Sequence, residues 1–279
     1  MKFNENIIII YERFSKNFIW HIEMISRHEQ ILETLISRQD ITVSELSVML
    51  DVSEVTIRSD LTQLAKEGKI IRERGGARLV EERIRQEYSF QMRKNLNADK
   101  KLKIGQLAAN FVRPMESILL DSSTTAVAVA QALRDREDLK DITVVPTGVW
   151  TAIELMCCPN INILLAGGYL RHTTGSIVGL PANELLKNFN IQKAFLGAWG
   201  ISLVNGLTDT HLLEVELKRF IVQHVNEVMV VIDGSKFLQA GLAAYATVDQ
   251  IKKLITDSSA PKEMLDKIRS KGVEVLVAE

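Results

Sequence analysis

Side chains that could bind an anion are concentrated in the stretch LLDSSTTAVAVAQAL. A β-like run ends at Asp121, and a helical pattern follows it. Four hydroxyl side chains stand where that helix begins: Ser122, Ser123, Thr124 and Thr125. Helix N-termini attract anions through free backbone N–H groups and the helix dipole, and hydroxyls add further donors. Simple capping of the helix needs one such side chain, so the four together favour a phosphate site.

Other candidates for this site follow later β-like runs. Gly167 and Gly168 come after NILLA, where a backbone without side chains could approach a ligand, although a tight turn explains them equally well. Lys236 follows Asp233 in VVIDGSKF and could bind a phosphate as a point charge or be a solvated loop charge. We include both glycines and Lys236 among the predicted effector-binding residues.

Charged side chains in the same half of the chain leave a catalytic alternative open. Glu214 and Lys218 in HLLEVELKRF are spaced i, i+4, which predicts an ion pair on a helix surface, and Lys218 is also a candidate effector ligand. Sugar-phosphate isomerisation needs a general base at a C–H group and acids for the enediolate. Candidates for those roles are Asp209, Glu214, Asp233 and Lys236, but the sequence does not set their mutual geometry.

A second group of polar residues lies in the segment VSEVTIRSDLTQLAKEGKIIRERGGARL. Before it, Thr42 and Glu45 have the spacing of a capping box that begins one helix. Ser53 is placed to cap a second helix, and Gly68 follows its end as a C′ glycine would. Because a very short turn joins the two helices, they must cross steeply, as in a helix-turn-helix.

The apolar residues of these two helices determine which side chains face outward. The predicted buried positions are Leu46, Met49 and Leu50 in the first helix and Ile57, Leu61, Leu64 and Ala65 in the second. The second helix then directs short hydrogen-bonding side chains outward, which in a helix-turn-helix read base edges in the major groove. The predicted DNA-binding residues of this part are Thr42, Ser53, Glu54, Thr56, Arg58, Ser59 and Gln63, with Arg58 placed to reach a phosphate.

A β-hairpin is predicted after the second helix, in KIIRERGGARLV, around Gly75 and Gly76. Its basic residues are Lys69, Arg72, Arg74 and Arg78, against the single acid Glu73. Neutralising four phosphates would make log K fall with log salt at a slope of about −3 to −4. The hairpin is therefore interpreted as a DNA-binding wing with contacts from Arg72, Arg74 and Arg78. A helical subdomain for protein contacts is the alternative.

These elements divide the chain into an N-terminal extension (1–26), a winged helix-turn-helix domain (27–80), a linker (81–98) and an α/β domain (99–279). In the last domain, β-like runs alternate with helical stretches, which predicts a mostly parallel sheet covered on both faces. Ligands of such sheets bind beyond the carboxyl ends of the strands. The predicted strands are SILLD, ITVVPT, NILLAGG, KAFLGAW, VMVVID, KKLITD and VEVLVA.

Composition limits the classes of function. The chain has 279 residues, 46% of them hydrophobic, and a formal net charge of −1. If the protein binds a polyanion, it must therefore do so through a local basic surface. Cys157 and Cys158 are adjacent and fit neither a disulfide framework nor a metal site, which indicates a reducing, cytoplasmic location. The apolar run at residues 7–10 is too short for a membrane span or an export signal. We predict no metal and no cofactor.

The segment TVSELSVMLDVSEVTIRSDLTQLAKEGKIIRERGGARL resembles the winged helix-turn-helix of the DeoR family of bacterial transcriptional regulators. The recognition helix of that family has the pattern V-S-x-x-T-I-R-R-D-L. The matching residues are Val52, Ser53, Thr56, Ile57, Arg58, Asp60 and Leu61. Ser59 stands where the family has a second arginine, which implies that a backbone contact is missing there or replaced by a base contact.

Residues 85–279 resemble the sensor domain of the same family, which is similar in fold to ribose-5-phosphate isomerase. The D-x-G-[ST]-T loop of the family corresponds to residues 121–125, with Ser123 in place of the glycine. Its L-x-G-G segment corresponds to residues 165–168, its D-x-S-K-F segment to residues 233–237, and its T-N-S segment is here Pro146, Thr147 and Gly148.

The resemblance implies a repressor of carbohydrate-metabolism genes. Its partners would be operator DNA and an effector, a phosphorylated sugar or related metabolite that changes the affinity of the N-terminal domain for the operator. No membrane partner is implied. Because symmetric half-sites need two recognition helices, we expect at least a homodimer.

Overall fold

The structure of the chain is a computed structural model that describes residues 27–38, 40–79 and 90–279. The predicted N-terminal extension, residues 1–26, and residues 81–89 of the predicted linker lie outside the described residues. The chain divides into two compact units, an N-terminal unit, Met1–Gln86, and a C-terminal unit, Glu87–Glu279. None of the described helices is long and apolar enough to cross a membrane.

The described part of the N-terminal unit combines helices with an antiparallel sheet of order β1-β3-β2. Strand β1 is not predicted by the sequence, because three residues carry too little pattern; it forms by pairing with β3, with Asp40 opposite Arg78. The elements are α1 (Arg27–Arg38), β1 (Asp40–Thr42), α2 (Val43–Leu50), α3 (Glu54–Lys66), β2 (Ile70–Glu73) and β3 (Gly76–Leu79).

Capping residues begin and end the helices where the sequence predicts. The Thr42 hydroxyl accepts from the Glu45 N–H at 3.2 Å, and the Glu45 carboxylate accepts from the Thr42 N–H at 2.9 Å, which completes the capping box of α2. Ser53 Oγ accepts from the Thr56 N–H at 3.2 Å at the start of α3. Gly68 has a φ of +65°, a conformation that favours glycine. The helix-turn-helix is therefore confirmed as a backbone structure.

The core of the N-terminal unit differs from the prediction at Met49. Ile57, Leu61 and Leu64 are fully buried, as predicted. Met49 is 45% exposed, and Val43 takes the buried position in α2 with Leu46. Three residues turn an α-helix through about 300°, which is about 60° short of a full turn. Met49 comes two such steps after Val43 and therefore points about 120° away from it. The prediction that Met49 belongs to the buried stripe is wrong.

The C-terminal unit is built on a seven-stranded parallel sheet of order β15-β14-β12-β9-β4-β5-β6. All seven predicted strands are in this sheet. The elements are α4 (Phe90–Asn95), α5 (Ala98–Ala109), β4 (Ser117–Leu120), α6 (Thr124–Arg134), β5 (Ile142–Pro146), α7 (Val149–Leu155), β6 (Ile161–Ile163), β7 (Tyr169–Arg171), β8 (Ser176–Val178), α8 (Leu180–Leu186), β9 (Lys193–Leu196), β10 (Gly200–Ser202), β11 (Gly206–Asp209), α9 (Leu212–His224), β12 (Glu227–Val231), β13 (Ala243–Ala246), β14 (Lys253–Asp257), α10 (Lys262–Arg269) and β15 (Glu274–Ala278).

Both faces of this sheet are buried. Successive residues of β4 belong to two different apolar clusters, Leu119 to one and Ile118 with Leu120 to the other. Because neighbouring side chains of a strand point to opposite faces, each cluster fills one side of the sheet. This burial explains why the strands read as continuous apolar runs.

Two smaller antiparallel sheets are not predicted by the sequence. Strands β7 and β8 form a hairpin, and β10, β11 and β13 form a sheet of order β10-β11-β13. Their strands have three or four residues each, among them GIS, GLTD and AAYA, and lack the alternation that marks a strand. Tertiary pairing decides these elements.

Helix α4 lies within the predicted linker of residues 81–98. The Phe90 ring stacks on Trp150 with 5.2 Å between ring centres, and the Phe90 N–H donates to the Thr173 oxygen at 3.0 Å. The chain from Phe90 onward is therefore packed within the C-terminal unit, and the linker prediction is wrong for this part. The mostly polar residues after Phe90, QMRKNLNADKK, gave this part of the sequence the composition of a linker.

The strand order creates a switch point between β4 and β9. The chain runs from β4 to β5 and β6 in one direction, then returns to place β9 on the other side of β4. The connections after these two strands therefore diverge, and a crevice forms outside their carboxyl ends. Ligands of open parallel sheets bind in such a crevice.

Candidate functional sites

Asp121 lies at the carboxyl end of β4, and its side chain is buried. Its Oδ1 accepts from the Ser123 N–H at 2.9 Å, and its Oδ2 accepts from the N–H of Gly197, the residue after β9, at 2.8 Å. The Thr151 hydroxyl of α7 donates to the backbone oxygen of Asp121 at 3.2 Å. Asp121 thus ties together the start of α6, the end of β9 and α7, which shapes the switch point. We call the residues at this edge the strand-end site.

Lys218 of α9 is buried against Asp121. Its Nζ lies 2.7 Å from Asp209 Oδ2 and 3.1 Å from Asp121 Oδ2, and it donates to the Gly197 oxygen at 2.9 Å. Burial opposes the charge on Lys218, but Asp209 and Asp121 more than offset it and raise the pKa of this lysine well above its usual value. Burial alone would raise the pKa of Asp209, whereas Lys218 lowers it below the usual range. An effector could bind Lys218 only by displacing one of these oxygens.

The predicted surface ion pair between Glu214 and Lys218 is wrong. Both residues lie on one face of α9, as their spacing requires, but that face is buried. Glu214 instead pairs with Arg171 and accepts hydrogen bonds from Ser176 Oγ at 2.6 Å and Thr174 Oγ1 at 3.2 Å. Helical spacing shows which residues share a face, and only the packing of the hairpin β7–β8 shows that this face is covered.

The four predicted hydroxyl residues surround the N-terminus of α6. Ser123 is the N-cap, and its Oγ accepts from the Ala126 N–H at 3.1 Å. Ser122, Thr124 and Thr125 are buried. Capping therefore uses the hydroxyl of Ser123 as an acceptor, and the prediction that this loop binds an anion depends chiefly on the other three residues and the backbone N–H groups.

Two glycines allow this loop to pack tightly. A Cβ on Gly148 would lie 2.8 Å from Ser122 Cα, and a Cβ on Gly197 would lie 2.5 Å from Ser123 Oγ. Both distances are too short for real atoms, so the ends of β5 and β9 can approach the Ser122–Ser123 turn only as glycine. The geometry of the loop thus depends on residues that are distant in sequence.

Lys236 lies at the same edge of the sheet. It is half-buried in the turn after β12, with its Nζ 5.3 Å from the ring centre of Trp199, two residues beyond Gly197. Burial lowers the pKa of Lys236, and Arg93 adds to this effect while Asp233 opposes it. The structure thus brings Lys236 near the end of β9, as a phosphate ligand of the strand-end site would require.

Gly167 and Gly168 have different surroundings. A Cβ on Gly168 would lie 2.6 Å from the Val178 oxygen, and its φ is +153°, so the pairing of β7 with β8 itself requires glycine there. Gly167 has open space where a Cβ would stand. The hairpin accounts for Gly168 without any ligand.

Local hydrogen bonds hold one oxygen of Asp233 in place. Its Oδ1 accepts from Asn97 Nδ2 at 3.1 Å and from the Ser235 N–H at 3.0 Å, and the Ser235 hydroxyl donates to the same atom. The Asn97 side chain thereby attaches the start of α5 to the end of β12. A carboxylate held in this way is a structural element of the edge.

Lys101 and Arg93 are charged residues near Asp233 that the sequence does not single out. The Lys101 ammonium is buried and donates to the backbone oxygens of Arg93 and Leu96. Burial lowers the pKa of Lys101 to about 8; Asp233 opposes this effect, and Lys236 and Arg93 add to it. In the sequence both residues lie in a run of charges that resembles a solvated linker, so only a conserved pattern among relatives could have revealed them.

Several buried polar atoms of the C-terminal unit have no hydrogen-bond partner among the residues that the structure describes. They are Arg93 Nε, Trp150 Nε1, Asn183 Oδ1, Thr210 Oγ1, His211 Nδ1 and Thr256 Oγ1. Thr210 and His211 follow Asp209, whereas Trp150 Nε1 lies at the hairpin turn, 2.4 Å from where a Cβ on Gly175 would stand. Buried polar groups in folded proteins are almost always paired. The unpaired atoms next to Asp209 are therefore compatible with a polar ligand at this edge of the sheet.

The outward face of α3 presents the predicted base-reading side chains. Ser53, Ser59 and Gln63 are exposed, and Glu54 and Thr56 are partly exposed. Arg58 is exposed and pairs with Glu54 at 2.6 Å, an ion pair of the kind that contributes little to stability. Thr42 is exposed at the start of α2, where its hydroxyl is engaged in the capping box. This face can exchange its contacts for a ligand at low cost.

The basic residues of the hairpin are not equivalent. Arg72 donates to the Arg58 oxygen at 3.1 Å and to Thr62 Oγ1 at 2.8 Å, which braces the hairpin against α3. Arg78 pairs with Glu73 at 2.6 Å. Arg74, at the hairpin turn, is exposed and forms no ion pair with the described residues. Arg74 is thus the wing residue most free to meet a phosphate, and Arg72 is mainly a brace.

Asp60 fixes α1 to α3. Its carboxylate accepts from Arg27 Nε at 2.5 Å and Arg27 Nη2 at 3.0 Å, and His28 Nε2 lies 3.2 Å away. The hydrogen bonds from Arg27 lower the pKa of Asp60 despite partial burial. This bidentate pair explains physically why an aspartate stands at that point of the recognition-helix pattern.

Family models match both units. A model of the DeoR-like helix-turn-helix domain matches residues 27–83, and a model of the DeoR C-terminal sensor domain matches residues 96–258. The chain belongs to the DeoR family of transcriptional regulators. Its N-terminal unit is therefore the DNA-binding unit and its C-terminal unit the sensor unit.

Curated relatives of this DeoR-family chain carry the names of regulators. The transcriptional regulator GolR of Listeria innocua is 35% identical over 91% of this chain and 98% of its own. The repressor GlcR of Bacillus subtilis is 34% identical over 89% and 94%, and the glycerol-3-phosphate regulon repressor of Escherichia coli is 28% identical over 91% and 99%. These matches cover nearly the whole length of the chain, and all three relatives are named as regulators or repressors.

Among solved structures, ribose 5-phosphate isomerase from Methanocaldococcus jannaschii matches 51% of this chain and 55% of its own. The sequence identity is 21% and the TM-score 0.39. The likeness is partial, and no functional conclusion rests on it.

Proposed function

We propose that this DeoR-family regulator represses carbohydrate genes and is controlled by a phosphorylated sugar bound at the strand-end site. The observation that carries the proposal is the hydroxyl-rich N-terminus of α6 at the carboxyl end of β4, with Lys236 at the same edge of the sheet. Unpaired buried atoms of Thr210 and His211, which follow Asp209, also favour a polar ligand. The name of the glycerol-3-phosphate regulon repressor supports a phosphate ester as the ligand class.

In this proposal the phosphate binds at the N-terminus of α6. The backbone N–H groups after Ser123 and the hydroxyls of Ser122, Thr124 and Thr125 surround it, and Lys236 neutralises part of its charge. Lys218 acts indirectly, because it holds Asp121 and Asp209 in place. Gly148 and Gly197 keep the crevice narrow enough for the loop to contact a small ligand.

The isomerase alternative is disfavoured by the names of the relatives, which are regulators. A general base needs a free oxygen within hydrogen-bond reach of the substrate proton. The pairs of Asp209 with Lys218, Glu214 with Arg171 and Asp233 with Asn97 each engage one carboxylate oxygen. These contacts commit part of each carboxylate to the fold, and we propose sensing rather than catalysis.

Control of transcription would follow from the arrangement of two subunits. A homodimer, at least, would place two α3 helices about 34–36 Å apart to read adjacent half-sites. An effector that favours another arrangement would weaken operator binding. A coupling free energy of about 1–3 kcal/mol would give about 5- to 150-fold relief.

A thermal-shift screen of the full chain tests the effector half of the proposal. The panel contains inorganic phosphate, ribose 5-phosphate, glucose 6-phosphate, fructose 1-phosphate and glycerol 3-phosphate, each ester beside its unphosphorylated parent. A ligand at 100 times its Kd should stabilise the sensor unit by about 2.7 kcal/mol. Any ester that does so is then added to an operator-binding assay.

Lys236→Ala is the variant for this screen, with the exposed Lys252 changed to Ala as the matched control. We expect Lys236→Ala to lose the stabilisation while operator binding without effector is retained. Stabilisation by parent sugars as strong as by their esters would contradict the phosphate site. Stabilisation by no member of the panel would contradict the proposed effector class.

A further inference from the structure

Arg93 of α4 carries a guanidinium with one nitrogen that no described group satisfies. Its Nε is buried and has no hydrogen-bond partner among the described residues. A guanidinium is always charged and has five N–H donors. Because burying an unpaired donor costs free energy, an unpaired arginine in a folded protein calls for an explanation such as a missing ligand.

Helix α4 holds Arg93 firmly at the edge of the strand-end site. The Phe90 ring stacks on Trp150, with 5.2 Å between the ring centres and 16° between the planes. At the other end of the helix, the buried Lys101 ammonium donates to the Arg93 and Leu96 oxygens. The backbone that carries Arg93 is therefore fixed from both sides, and its side chain is presented from a rigid base.

The packing of α4 places Arg93 next to the strand-end site. Helix α4 contacts α6, the helix that begins with the hydroxyl residues. In agreement with this position, the positive charge of Arg93 contributes to lowering the pKa of Asp209, Lys236 and Lys101. Asp209 and Lys236 lie at the same edge of the sheet.

We propose that Arg93 is a further phosphate ligand of the strand-end site, acting with Lys236 on the phosphate whose other side faces the N-terminus of α6. The inference rests on the proposed function and adds a residue to it. The planar guanidinium suits a phosphate, because two parallel N–H groups can bind two of its oxygens. Lys236 supplies the second positive charge.

The place of α4 in the chain gives this contact a regulatory consequence. The boundary between the units lies at Gln86 and Glu87, so α4 is the first described element of the sensor unit. A phosphate that pairs with Arg93 would bind directly to the helix adjoining the connection to the DNA-binding unit. Effector binding at the strand-end site would thereby act on the connection through α4.

The experiment measures binding of inorganic phosphate to the full-length protein at constant ionic strength. The variants are Arg93→Gln and, as the matched control, Lys94→Gln, which removes one positive charge from the neighbouring position of the same helix. We expect Arg93→Gln to weaken phosphate binding by about tenfold or more, as the loss of a charged hydrogen bond does. Lys94→Gln should stay within about twofold of the wild type, and Arg93→Lys should retain part of the affinity.

Each result decides the inference. Equal phosphate affinity for the wild type and Arg93→Gln would overturn the role of Arg93 and leave the proposed function intact. Binding of neither phosphate nor any ester of the panel to the wild type would overturn both. If Arg93→Gln changes the melting temperature in the absence of phosphate, Arg93→Lys takes its place. Arg93→Lys would contradict the inference if it kept both the phosphate affinity of the wild type and the change in operator affinity on addition of the ester.

The regulatory consequence has its own readout. Operator affinity is measured for each variant without phosphate and with the ester that stabilises the wild type, at saturation. Without ligand, all variants should bind the operator within about twofold of one another. With saturating ester, Arg93→Gln should show a smaller change in operator affinity than Lys94→Gln. If the ester changes the operator affinity of Arg93→Gln as much as that of the wild type, then Arg93 serves only as a ligand, and α4 does not couple the effector site to DNA binding.

Discussion

The two units of the protein use charge in opposite ways. In the DNA-binding unit, Arg58 and Arg74 are exposed, and the ion pair of Arg58 with Glu54 is accessible to solvent. In the sensor unit, Asp121, Asp209 and Lys218 are buried in contact with one another. An exposed pair is easily exchanged for a phosphate of DNA, whereas a buried network fixes a crevice. Binding to a long polyanion needs the first arrangement, and selection of a small ligand needs the second.

Removal of the buried cation is the strongest test of this contrast. Lys218→Met would leave Asp121 and Asp209 buried without a counter-charge, and we expect a loss of about 3–5 kcal/mol of stability in the sensor unit. Chemical denaturation monitored by circular dichroism measures it. The same change at exposed Lys252 should cost less than about 0.5 kcal/mol. A loss below about 1 kcal/mol in Lys218→Met would show that the network is not held by its charges.

The next prediction concerns the packing that keeps the crevice narrow. In Gly197→Ala the new methyl group would lie 2.5 Å from Ser123 Oγ, so we expect a loss of about 1–3 kcal/mol and weaker binding of any phosphate ester. Gly167→Ala is the matched control, because its methyl group would enter open space. Denaturation curves and the ligand screen measure both effects. Equal behaviour of the two variants would contradict the close approach of β9 to α6.

The ion pair between Arg27 and Asp60 in the DNA-binding unit is partly buried, and its loss should have a smaller effect. Asp60→Asn should cost about 1 kcal/mol at neutral pH, since Arg27 is largely solvated. The folded-state pKa of Asp60 is lowered, so the stabilisation is present above the usual pKa of about 3.9 and is lost as the pH falls through the folded-state pKa.

Unfolding of this unit followed between pH 7 and pH 2 tests that sign. The difference between the wild type and Asp60→Asn should shrink as the solution becomes acidic. Asp40→Asn, a change of an exposed aspartate in the same unit, should show no such dependence. A difference that grows on acidification would contradict the role given to Arg27.

The smallest expected effects on stability lie on the exposed face of α3, where the changes act on DNA binding instead. Arg58→Ala should weaken binding to operator and random DNA alike and reduce the salt slope by about 1, because Arg58 is predicted to meet a phosphate. Thr56→Ala should mainly relax base specificity, with about 1–3 kcal/mol less discrimination at one base pair. Binding titrations at several salt concentrations separate the two. Equal losses on both DNAs for both variants would contradict the assignment.

Much of the fold follows from patterns that are local in the chain. The capping residues Thr42 and Ser53 and the C′ glycine Gly68 act on their own helix ends, so their effect does not depend on distant residues. The seven strands of the parallel sheet are apolar on both faces and stand out as continuous runs. Two short sheets and β1 could not be predicted in this way, because their strands exist only through pairing.

The candidate site was only partly predictable for the same reason. The hydroxyl residues after Asp121 and the lysine after Asp233 belong to local strand-to-helix or strand-to-turn patterns. The burial of Glu214, its pairing with Arg171 and the position of Arg93 depend on segments that are far apart in the chain. A charged residue has the same appearance in the sequence whether water or another charge surrounds it.

The sequence by itself therefore determined the helix-turn-helix, the hairpin that follows it, the strands of the large sheet and the hydroxyl residues at the start of α6. Each of these depends on hydrogen bonds or periodicity within a few residues. The tertiary structure alone decided that Lys218 joins Asp121 to Asp209, that Gly148 and Gly197 close around Ser122 and Ser123, and that Arg93 Nε is buried without a hydrogen-bond partner among the described residues. A buried charge has no water around it, so its neighbouring groups determine its pKa and its contacts. Those neighbours come from distant parts of the chain, and only the fold brings them together.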